Sequence, residues 1–189
     1  MPFFLKTIVS LVIGVALGLL ATWVSVTFGV AGGIKDGPWH TSLSAGNSAG
    51  DPYTRASVAV HGLLALNRSE TIYYSAGSDG EGHALVGNCR YEIRGHDPDA
   101  RWWSITAYGA DDFLIPNPAH RYSISKSNLQ RDANGGFVVT VSAQRASGNW
   151  IPLGAGDFSL SLRLYNPGPA VTGDPAHVML PAITRISCV

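Results

Sequence analysis

Charge is scarce in this chain, and over one stretch it is missing altogether. Lys, Arg, Asp and Glu make up 14% of the 189 residues, and none occurs in the 28 positions between Lys6 and Lys35. Beyond residue 34 stand twelve basic and thirteen acidic side chains with no run of either sign. The basic footprint that nucleic acid demands is therefore absent. There is no G-x-S-x-G elbow, no phosphate-binding glycine loop and no dinucleotide fingerprint. The six histidines, His40, His61, His83, His96, His120 and His177, show no H-x-x-x-H or comparable spacing, so no metal-ligand set and no cofactor are expected. Asp79 with Glu81, and Asp111 with Asp112, are the carboxylate pairs a glycosidase would need. All four fall in predicted turns, where acids are ordinary, and no catalytic residue is assigned.

The uncharged stretch is long enough to cross a membrane. Ile8 to Val30 contains thirteen Leu, Ile, Val or Phe, each favouring insertion by roughly 0.3 to 0.6 kcal/mol at mid-bilayer, so the segment gains on the order of 4 to 8 kcal/mol before its polar members subtract. As a helix the stretch spans roughly 40 Å against a hydrocarbon core of ~30 Å. A cleaved secretory signal has a shorter apolar region, about 7 to 15 residues, ending in small residues such as Val30-Ala31-Gly32. Length favours a retained transmembrane helix over residues 7–34. The short basic end at Lys6 should stay cytoplasmic, with residues 1–6, placing the remainder outside the inner membrane of a bacterium, or outside the cell. Ser10, Gly14, Gly18 and Thr22 recur every four residues, with Ser25 and Gly29 on the same face. Such a stripe lets two helix backbones approach closely in lipid, so the expected partners are the membrane and, through this helix, another membrane protein or a second copy.

The remaining 155 residues suit a single domain. Residues 35–50 read as a Gly/Ser/Asn-rich juxtamembrane linker with Trp39 near the interface. Asp51-Pro52 signals a helix start, leading into Tyr53 to Leu66 with Val60, Leu63 and Leu64 as its buried stripe. After Asn67 the period shifts toward two. Strands are predicted over 71–76, 83–93, 102–108, 122–125, 137–143, 158–165 and 177–186. The clearest is Phe158-Ser-Leu-Ser-Leu-Arg-Leu-Tyr165, with Phe158, Leu160, Leu162 and Leu164 facing one way and Ser159, Ser161 and Arg163 the other. Ser78-Asp79-Gly80 and Asn134-Gly135-Gly136 read as hairpin connections, and Asn166 to Pro175 as an exposed loop. The expected fold is mainly β: an antiparallel, jelly-roll-like β-sandwich over 51–189 with one short helix, preceded by a single transmembrane helix. Cys89 and Cys188, an even count in an exported domain, are expected to form a disulfide.

Trp102-Trp103-Ser104-Ile105-Thr106-Ala107-Tyr108, then Phe113-Leu114-Ile115-Pro116-Asn117 and Arg121-Tyr122-Ser123, resemble the bacterial family known as domain of unknown function 1214. Asn149-Trp150-Ile151-Pro152 and the strand from Phe158 to Tyr165 continue the likeness, which covers roughly residues 51–186. Larger relatives carry this domain behind a second one, the family numbered 1254, and this chain resembles the short, membrane-anchored branch without it. The resemblance implies a β-sandwich and a cell-envelope setting. It brings no catalytic residue to carry over.

Adjacent Trp102 and Trp103 point to opposite faces of one strand, so burying both requires cover on each side, which the segment from Tyr53 would supply. Asn117 and Asn149 read as loop braces, and Arg121 and Arg163 as partners of Asp112 and Asp157. Together with Tyr108 and Trp150, these four are also the candidate ligand-binding residues. The leading functional reading is a membrane-anchored interaction or accessory protein of the cell envelope, held in the inner membrane with a periplasmic domain. One alternative is a binding module for an envelope carbohydrate or other small molecule, and another is a glycan-directed hydrolase. A cleft lined by convergent Arg and Asn would favour binding, and two carboxylates about 5 to 10 Å apart across it would favour hydrolysis.

Overall fold

The computed structural model describes residues 3–28, 33–42, 50–60 and 66–189. Val30-Ala31-Gly32, Gly29, His61, Leu63 and Leu64 lie outside them. The first element, α1, runs over Phe3–Phe28, earlier than the expected 7–34. It is long and apolar enough over Phe3–Thr27 to cross a membrane, and none of that window is buried in the protein.

The expected linker is in part a strand pair. Ile34–Asp36 (β1) and Trp39–Thr41 (β2) form an antiparallel hairpin, turned at Gly37, whose φ of 57° suits a residue without Cβ. β2 joins the domain's sheet through His40 opposite Ser75. Trp39 is 1% exposed and its indole N–H donates to the Pro181 carbonyl at 2.7 Å. It is a core residue, not an interfacial one. Its large ring gains more from the sandwich than from a headgroup layer because its one polar atom finds a partner inside.

Helix α2 spans Pro52–Val60. As expected it starts on Asp51, whose Oδ1 accepts from the backbone N–H groups of Tyr53 at 2.9 Å and Thr54 at 3.1 Å. It buries no residue. Val60, expected in an apolar stripe, is 63% exposed.

The strands that follow are β3 (Thr71–Ala76), β4 (Cys89–Gly95), β5 (Ala100–Gly109), β6 (Ser123–Ser125), β7 (Phe137–Ser142), β8 (Trp150–Pro152) and β9 (Phe158–Pro167), then the short helix α3 (Pro169–Gly173) and β10 (Ala182–Cys188). They build two sheets, ordered β1-β2-β3-β9-β5-β6 and β10-β4-β7-β8. All seven expected strands have a counterpart. The segment expected as a loop from Asn166 instead extends β9 and adds α3, which sinks Val171 fully into the core. Proline at its first turn sets the helical φ in advance.

Alternation decides what faces inward. Leu160, Leu162 and Leu164 on β9, Trp103 and Ile105 on β5, and Tyr74 on β3 are fully buried. They meet Tyr91 and Ile93 of β4 and Val139 and Val141 of β7, also fully buried, from the other sheet. Trp103 stacks on Phe137 with ring centroids 5.0 Å apart, and Tyr91 meets Phe158 edge-on at 5.6 Å. Trp102 behaves differently from expectation, being only half-buried. Its outer cover comes from Tyr165, 5.3 Å away, and from Ser127, whose Oγ accepts its indole N–H at 2.9 Å.

One pair departs from the antiparallel plan. β7 and β8 run parallel, with Thr140 opposite Trp150 and Ser142 opposite Pro152, although fewer residues than a usual crossover separate them. The reversal uses Gly148 at φ 73° and the bond from the Thr140 N–H to the Asn149 carbonyl at 2.8 Å.

Cys89 and Cys188 stand opposite one another in the β4–β10 ladder at disulfide-bonding distance, 99 residues apart in sequence. A link across about 100 residues constrains the unfolded chain by roughly 4 to 5 kcal/mol on the chain-entropy model. Reductant should therefore lower the denaturation free energy of the full chain by about 3 to 5 kcal/mol, and Cys89→Ser with Cys188→Ser should make stability insensitive to reductant.

Tyr74 supplies a pH signature. Burial, then the nearby Asp36 and Asp174 carboxylates, push its phenol up to about 12, while its O–H donates to the Pro175 carbonyl at 2.9 Å. The unfolded phenol titrates near 10. The folded state holds the proton more tightly, so this contribution is full below pH 10 and is lost as pH rises through about 12. Tyr74→Phe should flatten the alkaline limb of a stability-against-pH curve between those values.

Candidate functional site

The six candidate residues fall into two sets, and no hydrogen bond or ring contact among the described residues joins them. The first is the loop set. Asn117 donates through Nδ2 to the carbonyls of Ile115 at 3.1 Å and Arg121 at 3.0 Å, and its Oδ1 accepts from the Arg121 N–H at 3.1 Å. This amide closes the turn that contains His120 at φ 48°. Asn149 donates to the carbonyls of Gln130 at 2.7 Å and Val138 at 3.0 Å and accepts from the Gln130 N–H at 2.8 Å. It replaces the ladder bonds that the tight β7–β8 reversal leaves out. Arg121 reaches the Trp150 carbonyl at 3.4 Å, and the Trp150 indole donates to the Ser142 carbonyl at 3.0 Å. Asn117, Asn149 and Trp150 spend their polar atoms on backbone and brace loops, Arg121 is exposed with its one bond to the Trp150 carbonyl, and of the four only Asn149 lines an open cavity, of about 390 Å³, beside Arg90 and Arg131.

The second set lies on the outer face of the six-stranded sheet. Register puts Tyr73, Arg163, Ser104 and Ser125 in one row across β3, β9, β5 and β6. The next row holds Lys35, His40, Ser75, Ser161, Thr106 and Ser123. Arg163 is half-buried and is not paired with Asp157, as the sequence suggested. Its Nη1 donates to Thr106 Oγ1 at 3.0 Å, its Nη2 donates to the Tyr108 hydroxyl, and its guanidinium carbon sits 5.4 Å from the Tyr108 ring centroid. Neutral oxygens and a ring face fix this cation, and no carboxylate partners it among the described residues. Burial first and Lys35 second push the pKa of His40 below the ordinary histidine value, so at neutral pH the row carries its positive charge on Lys35.

Thr106 was not singled out by sequence, yet it is what aims Arg163. The signal was available: counting by twos from Arg163 and Tyr108 places Thr106 and Ser161 on their face.

Two open cavities flank the Gly154–Asp157 segment. One, of about 470 Å³, is lined by Val86, Gly87, Asn88 and Ala143. The other, of about 380 Å³, has Asp111 and Asp157 in its wall. Both acids are exposed, and Asp111 Oδ1 accepts the Phe113 N–H at 3.1 Å. A general acid needs a desolvated carboxyl, which this wall does not supply. Asp79 is no ordinary turn acid either. It is 2% exposed, its Oδ1 accepts from the N–H groups of Glu81 and His83, and its Oδ2 lies 3.4 Å from Arg185 Nε. It staples its turn to β10, while Glu81 points to solvent.

Asn149→Ala would leave three backbone groups unpaired at a site only 8% exposed. At roughly 1 to 3 kcal/mol per unmet group, less whatever water recovers, the loss should be about 3 kcal/mol in urea denaturation.

A family model described as a protein of unknown function, DUF1214, matches residues 70–169, more than half of the chain. Among solved structures, the chain is similar to the VPA0106 protein from Vibrio parahaemolyticus, with a TM-score of 0.62 and 24% identity over 74% of this chain and 36% of that one. An uncharacterized protein from Burkholderia cenocepacia gives a TM-score of 0.47 and 16% identity, over 82% of this chain and 37% of that one. This chain thus spans little more than a third of either structure's length, and at these identities the Vibrio likeness concerns the fold. No curated protein matches the sequence.

Proposed function

We propose a role for this chain, which belongs to the DUF1214 family of proteins of unknown function: it is a membrane-tethered, non-catalytic interaction domain, an accessory component of the bacterial cell envelope. The observation that carries this reading is the helix Phe3–Thr27, apolar throughout except for Lys6 and Thr or Ser positions, with none of its membrane-length window buried in the protein and only its last turn partly covered. A soluble protein would have to cover such a surface. Lys6 at the short end keeps that end cytoplasmic and the sandwich periplasmic. An oxidising compartment suits the cysteine pair across β4 and β10.

The domain's chemistry agrees with a role in contact. Asn117, Asn149, Arg121 and Trp150 are engaged in bracing loops, and the acids at the open cavity are solvated. On the helix, a Cβ added at Gly14 or Gly18 meets nothing within 4 Å. Larger side chains there fit the lone chain and would obstruct only a neighbouring helix.

The test is purification of the full chain in mild detergent, wild type beside Gly14→Leu with Gly18→Leu. The expected outcome is that wild type emerges with a membrane partner or a second copy and the double variant loses it by at least tenfold, with unchanged expression and far-ultraviolet circular dichroism. A chain that emerges alone and monomeric in both forms sinks the proposal. Protease added to intact spheroplasts should digest the sandwich while leaving an N-terminal tag protected.

A further inference from the structure

We infer that the outer face of the six-stranded sheet binds an acidic glycan, with Arg163 receiving a carboxylate and the rings of Tyr108, Trp102 and Tyr165 receiving sugar faces. The inference goes beyond the tethering role and stands independently of the membrane helix.

Arg163 is oriented without being neutralised. A guanidinium has five N–H donors, and two of these go to Thr106 Oγ1 and the Tyr108 hydroxyl. Three donors remain on a side chain that is held in place and half withdrawn from water, with no ion pair among the described residues. Orientation by neutral groups leaves the charge uncompensated, which is the arrangement that accepts a planar carboxylate in bidentate fashion.

Charge complementarity extends across the whole face. Its register positions hold Lys35 and Arg163 as cations, and none holds Asp or Glu. The described acids lie in turns and loops, at the Asp51 cap of α2, in the Val86–Asp157 bridge, on the other sheet at Glu92, or on the inward side of β1 at Asp36. An anion meets attraction here with no like charge to oppose it.

The rings and hydroxyls of this face favour a glycan over a bare anion. On β5 the outward residues are Trp102, Ser104, Thr106 and Tyr108, three two-residue steps that span about 20 Å. Large half-buried rings stand at the two ends of this row, and buried hydroxyl residues form its floor: Ser104, Thr106 and, from β9, Ser161. Rings offer flat apolar surface at low entropic cost, and hydroxyls both donate and accept. A polymer of hydroxylated rings carrying carboxylates matches that alternation over several units. A free phosphate would use Arg163 alone and leave the rings idle.

The test uses the full chain in detergent, titrated with oligogalacturonate, with a neutral cello-oligosaccharide of equal length, and with inorganic phosphate. Calorimetry and tryptophan fluorescence report binding. Oligogalacturonate should bind saturably and weaken with added salt. Arg163→Gln should reduce affinity at least tenfold and Lys35→Gln, at an exposed position, several-fold. The neutral oligosaccharide should bind at least tenfold more weakly, and phosphate should fail to displace the glycan at equal concentration. Absence of saturable binding, equal affinity for the neutral sugar, or full displacement by phosphate overturns the inference. Where Arg163→Gln loses its circular dichroism signature, Lys35→Gln and Tyr165→Ala decide, and wild-type affinity in both also overturns it. None of these outcomes depends on whether the helix recruits a partner.

Discussion

The double pairing of β9 is the constraint on which the rest of the domain hangs. Its residues pair with β3 from Leu160 to Tyr165 and with β5 from Phe158 to Pro167, so one ten-residue strand fixes two registers. Leu160, Leu162 and Leu164 are wholly buried, and each contributes on the order of 2 kcal/mol by leaving water. A slip of one residue would turn those leucines outward and carry Ser161 and Arg163 into the core. The same pairing that closes the sandwich therefore also assembles the outer face. Arg163 stands between Tyr73 and Ser104 because Leu162 and Leu164 must stand among Trp103, Ile105 and Tyr74.

A second theme is the use of amides in place of strands. Where the chain reverses too tightly for ladder bonds, Asn117 and Asn149 satisfy backbone groups from several directions. The parallel β7–β8 pair exists on these terms. The Asn149-Trp150-Ile151-Pro152 element then reads as architecture: one residue bridges the reversal, the next bonds the preceding strand through its indole, and Ile151 fills the core. Arg163 belongs to another category, because its partners orient it without neutralising it.

The β1–β2 hairpin ties Ile34–Thr41, which follow the apolar helix α1 in sequence, to the sandwich. Trp39 is buried and bonded to a carbonyl 142 residues away in sequence. The domain thus begins with its own pair of strands, ahead of α2, and α2 contributes little to the core. In the sequence, Gly and Ser around Trp39 made this region look like a solvated connector. Three-residue strands leave too short a periodic signal to oppose that impression.

How much was legible follows one physical line. Alternating apolar residues declare a strand and its buried side from local sequence, and the runs at 71–76, 137–142 and 158–165 were readable for that reason. The apolar helix near the N-terminus and the Asp51 cap were equally local. The seat of Trp39, the parallel β7–β8 pair, the staple from Asp79 to Arg185 and the choice of hydroxyls over Asp157 as partners of Arg163 were decided elsewhere. By itself the sequence determined a membrane-length helix ahead of a two-faced β domain, because hydropathy and period need only neighbours. Tertiary structure alone decided which polar side chains were engaged as braces and which cation was left facing outward. That choice depends on strand registers between residues 49 to 94 positions apart, which no local pattern encodes.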